Sequence, residues 1–120
     1  MQRSDRVGEE MRDIIASLLR ESVKDPRLPA MVSVVEVEMS RDLSHAKVYI
    51  SVLGDDEAKK GAAAALKSAS GFLRREVASR IRLRVAPELH FVMDDSIERG
   101  FRIAKLIDEA NKGLRKPNDE

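Results

Sequence analysis

The apolar residues near the start of the chain recur with the spacing of a helix. They are Val7, Met11, Ile14, Ile15 and Leu18. Because residues three or four apart share one face of a helix, this pattern predicts an amphipathic helix over residues 5–22, with Ser4 or Asp5 as its cap. Pro26 and Pro29 follow, and a loop is expected there because proline lacks a backbone donor and pushes the residue before it towards extended geometry.

Two segments that follow alternate between apolar and polar residues. The apolar members are Val35, Val37 and Met39 in the first segment, and Ala46, Val48, Ile50 and Val52 in the second. Such alternation predicts two half-buried strands. The link over residues 40–44 is short and polar, which favours antiparallel pairing. Val32 and Val34 have the opposite parity to Val35, so a bulge or a strand start is expected near Ser33.

The second half of the chain predicts two helices, a strand and a closing helix. An Ala-rich helix over residues 56–67 is followed by a break at residues 68–71 and then by a second helix. The apolar stripes are Leu73, Val77 and Ile81 for this helix, Leu89, Phe91 and Met93 for the third strand, and Ile97, Phe101, Ala104 and Ile107 for the closing helix. The sequence leaves the direction of the third strand open. The predicted order is α-β-β-α-α-β-α, an α+β fold.

Composition restricts the class of protein. The chain has 120 residues, 36% of them charged, and its mean hydropathy is −0.36. With periodic apolar residues, this size predicts one folded domain, placed at residues 1–111, and a short flexible tail at 112–120. The absence of cysteine excludes disulfides and thiolate-ligated zinc, and two histidines are too few for a histidine-rich metal site. No apolar run reaches membrane-spanning length and no signal region is found, so we expect a cytoplasmic protein with no metal or cofactor and no membrane contact.

A strongly basic segment stands out in this nearly neutral chain. Five arginines fall between Arg74 and Arg84, and only Glu76 offsets them, so the segment carries a formal charge of +4 where the whole chain carries +1. A local patch of this kind suits phosphate-backbone binding, because each neutralised phosphate releases a condensed counterion. The alternative is an ordinary solvated helix face.

The break before the basic segment offers a second feature for anion binding. Gly71 suggests a kink between two helices, and Ser70 could cap the second one. Free N–H groups at a new helix start attract anions, so the break would present amides to a phosphate beside Arg74 and Arg75. The alternative is a helix corner without a ligand.

Catalytic chemistry has little support in the residues. No serine or acid stands at motif spacing from His45 or His90, and no nucleotide-binding glycine motif is found. Asp94, Asp95 and Glu98 could bind a divalent ion, although adjacent acids before a helix more often serve as cap and dipole partner. The three phenylalanines fall at predicted core positions, so base stacking is not expected to be the main contribution to nucleic-acid binding.

Several segments together resemble the ribosome-binding factor A family. They are KDPR at 24–27, VVEVEMSRDL at 34–43, AKVYISVL at 46–53, GFLR at 71–74, LR at 83–84, PELHF at 87–91, DDSIERG at 94–100 and RI at 102–103. The resemblance spans about residues 3–108. It implies a type II KH-like domain in which an Ala-x-Gly kink, matched here by Ala69-Ser70-Gly71, replaces the usual G-x-x-G loop between two helices.

The resemblance also implies a function. The family is not enzymatic, binds the small (30S) ribosomal subunit and its 16S ribosomal RNA during late maturation, and supports rRNA processing and growth in the cold. A monomer is expected, and the resemblance suggests an assembly GTPase as a partner in release. The RNA-binding role is carried over to Lys67, Ala69, Ser70, Gly71, Arg74, Arg75, Arg80, Arg82 and Arg84, and more weakly to Arg3 and Arg6. Three alternatives stay open: a general single-stranded RNA-binding KH-like module, a metal-dependent hydrolase using the three acids, and a protein-interaction module.

Overall fold

The computed structural model describes residues 2–29 and 31–114, without the side chains of residues 97, 98, 113 and 114. The elements in these residues are α1 (Arg3–Glu21), β1 (Val32–Met39), β2 (His45–Val52), α2 (Asp56–Ile81), β3 (Glu88–Met93) and α3 (Ser96–Leu114). The predicted α+β class with a three-stranded sheet is confirmed. Most of the predicted tail, residues 115–120, lies outside the described residues.

The first helix forms as its apolar stripe predicts. Met11, Ile15 and Leu18 are fully buried on the face that meets the sheet. The helix begins earlier than predicted, because Gln2 rather than Ser4 or Asp5 is the N-cap. The Gln2 backbone N–H donates to the Asp5 carboxylate at 3.2 Å, so the acid satisfies a free donor at the helix start.

The first helix lies directly against the backbone of β1. A Cβ added at Gly8 would come within 2.6 Å of the Val37 carbonyl oxygen, a distance that real side chains do not adopt. Glycine is therefore required at this contact because of space, not because of its backbone dihedrals.

The first two strands form the predicted antiparallel hairpin. Ser40 N–H donates to the His45 carbonyl at 2.9 Å, and Leu43 takes a left-handed conformation in the turn, with φ 64°. The register shifts between Val34 and Glu36, so the predicted bulge is present. It makes Val35 the extra residue of β1 and allows valines on both sides of the bulge to face the core.

The third strand pairs with β2 in parallel, which gives the sheet order β1-β2-β3. A parallel neighbour needs a crossover connection, and α2 provides it by carrying the chain back to the start of the sheet. The sequence had left this direction open.

The predicted break at residues 68–71 is wrong, because α2 runs from Asp56 to Ile81 as one helix of 26 residues. The element order is therefore α-β-β-α-β-α. Leu66 and Leu73 lie seven residues apart, about two turns, and both are fully buried in one core. A single glycine costs a helix about 1 kcal/mol, and burial of these two side chains outweighs that cost.

The predicted burial of the closing helix is also wrong. The described side chains of α3 are exposed from Arg99 to Lys112, and Phe101 is 65% accessible. Its apolar residues repeat at helical spacing, yet that spacing only gives the helix an apolar face and does not say what covers it. Ile97, also expected in the core, lies outside the described side chains.

The helices α1 and α2 cover one face of the sheet and leave the other open. Inward side chains of all three strands join those of both helices in one core. Among the residues that alternate with them and point away from the helices are Glu36, Glu38, His45, Lys47, Tyr49, Glu88, His90 and Val92. Most of these are polar, as the exposed face of a two-layer domain requires.

Candidate nucleic-acid interface

The second half of α2 presents basic side chains because its buried stripe lies on the opposite side. Leu73 and Val77 are fully buried against the sheet, while Arg75 between them is exposed. A Cβ built on Gly71 would lie 3.4 Å from Nη1 of Arg75, so the guanidinium lies over this glycine. Lys67, one turn before Gly71, is exposed as well.

Arg82 ends α2 in a left-handed conformation, with φ 60° and ψ 47°. The N–H groups of Arg82 and Leu83 both donate to the Ala78 carbonyl, the second at 2.9 Å, which closes a Schellman-type turn. Glycine is the usual residue at such a position, and a side chain there costs about 1–2 kcal/mol. Arg82 therefore lies in the turn after α2, with its side chain exposed, and not on the helix as predicted.

Arg74 has a different environment from its neighbours. Its Nε donates to the Pro87 carbonyl at 2.9 Å and its Nη2 to the Ala86 carbonyl at 3.3 Å, in a partly buried position. These bonds hold the loop that leads into β3. The structure thus gives Arg74 an architectural contact, whereas the sequence had placed it with the RNA-binding cations.

Arg80 is partly neutralised. Its Nη2 lies 3.4 Å from Oε1 of Glu76, one turn earlier on the same helix. An exposed pair of this kind contributes little to stability, but it reduces the local positive potential. Among the described contacts, Arg75, Arg82, Arg84 and Lys67 have no such acidic partner.

The predicted Ala-x-Gly kink does not supply free amides. Ala69 and Ser70 are half-buried and Gly71 is exposed, but all three lie inside the continuous helix. Backbone N–H groups within a helix are already bonded to carbonyls four residues earlier. The anion-binding helix start that the sequence suggested at Ser70 is therefore not present.

Arg27 joins the loop after α1 to this part of α2. Its Nε and Nη2 donate to the two carboxylate oxygens of Asp25 at 3.0 and 2.6 Å, and Nη2 also reaches Oγ of Ser68 at 3.2 Å. The Arg27 side chain and backbone N–H bond to the charged form of Asp25 and lower the pKa of that carboxyl to about 2. The KDPR segment is thus a bidentate clamp that fixes the loop beside Lys67.

Arg3 and Arg6 are exposed on the first turns of α1. Within the described residues, no hydrogen bond or ion pair links either of them to the arginines of α2. The structure does not bring the two basic groups into contact.

The acids proposed as an alternative metal site have structural contacts. Asp94 Oδ1 accepts from the Ser96 N–H at 2.7 Å, which lowers the pKa of this carboxyl, and Asp95 pairs with Arg99 at 3.0 Å. Both contacts belong to the start of α3, as the cap-and-dipole alternative predicted. The side chain of Glu98 lies outside the described residues.

One group of side chains was missed by sequence reasoning. Nδ1 of His45 lies 3.0 Å from Nε2 of His90 and 3.6 Å from Oε2 of Glu88, on the open face of the sheet. The three residues stand on two strands about 45 positions apart in the chain. The parallel register that joins them could not be read from the sequence, which left the direction of β3 open.

No helix within the described residues is both long and apolar enough to span a membrane.

Comparison with known proteins gives a consistent result. The family model described as ribosome-binding factor A matches residues 3–107. A ribosome-binding factor A from Acetivibrio thermocellus is 47% identical, with 99% of each chain covered. The crystal structure of ribosome-binding factor A from Thermus thermophilus is 28% identical and superposes with a TM-score of 0.66, over 75% of this chain and 94% of the other. A homology model of the Thermus thermophilus factor, fitted into an electron-microscopy map of its complex with the 30S subunit, is 27% identical over 77% of this chain and 96% of the other, with a TM-score of 0.63.

Proposed function

Because the chain belongs to the ribosome-binding factor A family, we propose that it is a non-catalytic assembly factor that binds the 30S ribosomal subunit through 16S ribosomal RNA during late maturation. A family relative has been fitted into a 30S complex, which supports the choice of partner. We place the protein in the cytoplasm as a monomer, with roles in rRNA processing and adaptation to cold.

The observation that carries this proposal is the group of exposed cations along α2 and the turn after it. We call Lys67, Arg75, Arg82 and Arg84 the basic strip. Each is exposed and lacks an acidic partner among the described contacts. Unpaired surface cations are free to replace the counterions of RNA phosphates, and the release of those counterions drives binding. Arg74 and Arg27 support the strip by fixing the loops on either side.

Charge on the open sheet face indicates which side meets the RNA. Glu36, Glu38 and Glu88 point outward there and Lys47 offsets only part of their charge. A polyanion would be repelled by this face and attracted by the basic strip, which lies on the helix layer. The RNA should therefore approach from the helix side.

The recognition should rest on phosphate charge and the shape of the RNA. Phe72, the aromatic residue of α2, is half-buried and packs against the core, so base stacking should contribute little. Arginine and lysine contacts to phosphate position a protein on RNA but carry little sequence information. Selectivity would then come from preferring one rRNA arrangement, and a binder stabilises an arrangement only by its differential affinity. Release would follow once the mature arrangement no longer fits, with an assembly GTPase as the partner.

Co-sedimentation with purified immature and mature 30S subunits across a salt series tests the proposal. We expect salt-sensitive binding that prefers the immature particle and is lost in Arg75→Glu, Arg82→Glu. The matched control is Arg41→Glu, Lys47→Glu, which makes the same change of charge at exposed positions of the hairpin and the open sheet face. It should bind like the wild type.

Arg82→Gly is a second variant, which should fold like the wild type. Glycine accepts the left-handed conformation, so this change removes a cation while keeping or raising stability. The affinity for the particle should fall, and the slope of its logarithm against the logarithm of the salt concentration should decrease by the amount expected for about one phosphate contact.

Two outcomes would contradict the proposal. Equal binding of unrelated RNAs of the same length would indicate a general RNA-binding module. Absence of binding to either particle at low salt would refute the ribosomal partner.

A further inference from the structure

The open face of the sheet carries a cluster of metal-binding side chains at the end where β2 and β3 begin. His45 is the first residue of β2, and Glu88 and His90 are the first and third residues of β3. One ligand atom from each residue can be chosen so that all three lie within 4.8 Å of one another. None of these residues belongs to the basic strip.

Backbone pairing explains why the three side chains meet. Glu88 lies opposite His45 in the parallel register, and the Glu88 N–H donates to the Ser44 carbonyl at 2.8 Å, which fixes this end of the strand pair. Side chains two residues apart share a face of a strand, so His90 points to the same side as Glu88. Leu89 between them faces the core and anchors the strand. The backbone of the cluster is therefore set by the fold.

The distances from His45 to the other two side chains suit metal coordination. Zinc binds imidazole nitrogen and carboxylate oxygen at about 2.0–2.2 Å, so two ligand atoms on a tetrahedral ion lie roughly 3.3 Å apart. The 3.0 Å between the two imidazole nitrogens and the 3.6 Å between imidazole and carboxylate lie on either side of that value. Two histidines and a glutamate are a common zinc donor set, and they leave a fourth position for water.

We propose that His45, Glu88 and His90 form a surface site for a borderline divalent metal ion, for which Zn²⁺ is the probe. The site lies on the face of the sheet opposite α2, so it is independent of the proposed RNA interface. The three side chains are exposed, which makes the site accessible and its ion exchangeable. A bound ion would join the ends of β2 and β3. The alternative is a metal-free pair in which one imidazole donates a hydrogen bond to the other.

Calorimetric titration of the tag-free full chain with Zn²⁺ in a non-coordinating buffer tests this site. We expect one ion per chain, and at least a tenfold loss of affinity in His45→Ala and in His90→Ala. Glu88→Gln should weaken binding by a smaller factor because both histidines remain. Long-range nitrogen–proton NMR of the imidazole rings should show Nδ1 of His45 and Nε2 of His90 shifting together on addition of Zn²⁺.

Asp95→Asn is the matched control, since it removes a carboxylate from the competing acidic group at the start of α3. It should leave the affinity for Zn²⁺ unchanged. Absence of saturable binding, or binding that survives in the His45→Ala, His90→Ala double variant, would overturn the proposal. Neither result bears on the sedimentation of the protein with 30S subunits, so the two proposals fail separately.

Discussion

At the scale of single residues, the cations of this chain differ in what their charges do. The guanidinium of Arg27 is held by Asp25 and that of Arg74 by the Ala86 and Pro87 carbonyls. Arg75 and Arg84 are exposed without such partners among the described contacts. Sequence shows only that all four are basic. Their division into structural and available cations depends on which acceptors the fold brings within 3 Å or so of each nitrogen.

The pKa of Asp25 gives a direct test at this scale. Arg27→Ala should move it from about 2 back towards the ordinary value of 3.8, because the side-chain hydrogen bonds and the nearby positive charge are lost. The folded-state pKa lies below the unfolded one, so the contribution of the pair to stability is complete above pH of about 4 and is lost as the pH falls towards 2. NMR titration of the carboxyl carbons measures the pKa of Asp25 in the wild type and in Arg27→Ala.

Asp42 provides the internal reference for that titration. The hydroxyls of Ser44 and Ser40 lower the pKa of its carboxyl to about 2 without help from any arginine. It should keep this value in Arg27→Ala. A simultaneous rise at Asp42 would mean that the variant had disturbed the whole fold, and an unchanged pKa at Asp25 would contradict the clamp.

At the scale of elements, α2 shows how tertiary contacts override local signals. Ser68, Ser70 and Gly71 are poor helix formers, and their succession predicts a break. The helix nevertheless continues through them, since the fully buried leucines on either side belong to the same core. The amphipathic α3 is the opposite case, a helix with a strong apolar pattern whose described side chains are exposed.

Gly71→Ala should raise the free energy of unfolding by about 0.5–1 kcal/mol. Gly71 is exposed in a continuous helix, where alanine reduces the entropy lost on folding, and its Cβ would meet only the mobile end of Arg75 at 3.4 Å. Urea denaturation followed by circular dichroism gives the difference. A loss of stability would show that the glycine permits a bend, and would restore the kink predicted from the sequence.

At the scale of the whole molecule, the arrangement rests on close contact between α1 and the sheet. The helices α1 and α2 share one core with the inward faces of the strands. The position of α1 is limited by the space between Gly8 and the β1 backbone. Because α1 and α2 cover only one face of the sheet, the opposite face is open and carries His45, Glu88 and His90. The basic strip is exposed on the helix side. The two proposed sites are separate because a two-layer fold has two exposed sides.

Gly8→Ala should lower the free energy of unfolding by about 1–3 kcal/mol, since the added methyl would force α1 away from the Val37 carbonyl. Thermal and urea unfolding measure the change. Gly100→Ala is the matched control, because an added Cβ at this exposed position of α3 meets no described side chain within 4 Å. Equal stability of the Gly8 variant and the wild type would contradict the close approach.

The sequence by itself determined the features that depend on neighbouring residues. Helical spacing from Val7 to Leu18 and alternation from Ala46 to Val52 were sufficient for α1 and β2, because these periods follow from backbone geometry. The parity change near Val34 indicated the bulge for the same reason. The basic segment after Gly71 was also evident, since charge density along the chain is a local property.

Only the tertiary structure decided the features that depend on distant residues. The parallel direction of β3 joins His45 to His90, the core on both sides of Gly71 keeps α2 continuous, and the loop before β3 engages Arg74. Each outcome is a contact between segments far apart in the chain, and its energy includes burial and geometry that no local pattern contains. The exposed face of α3 has the same cause, because amphipathic spacing defines a surface while the fold alone determines what covers it.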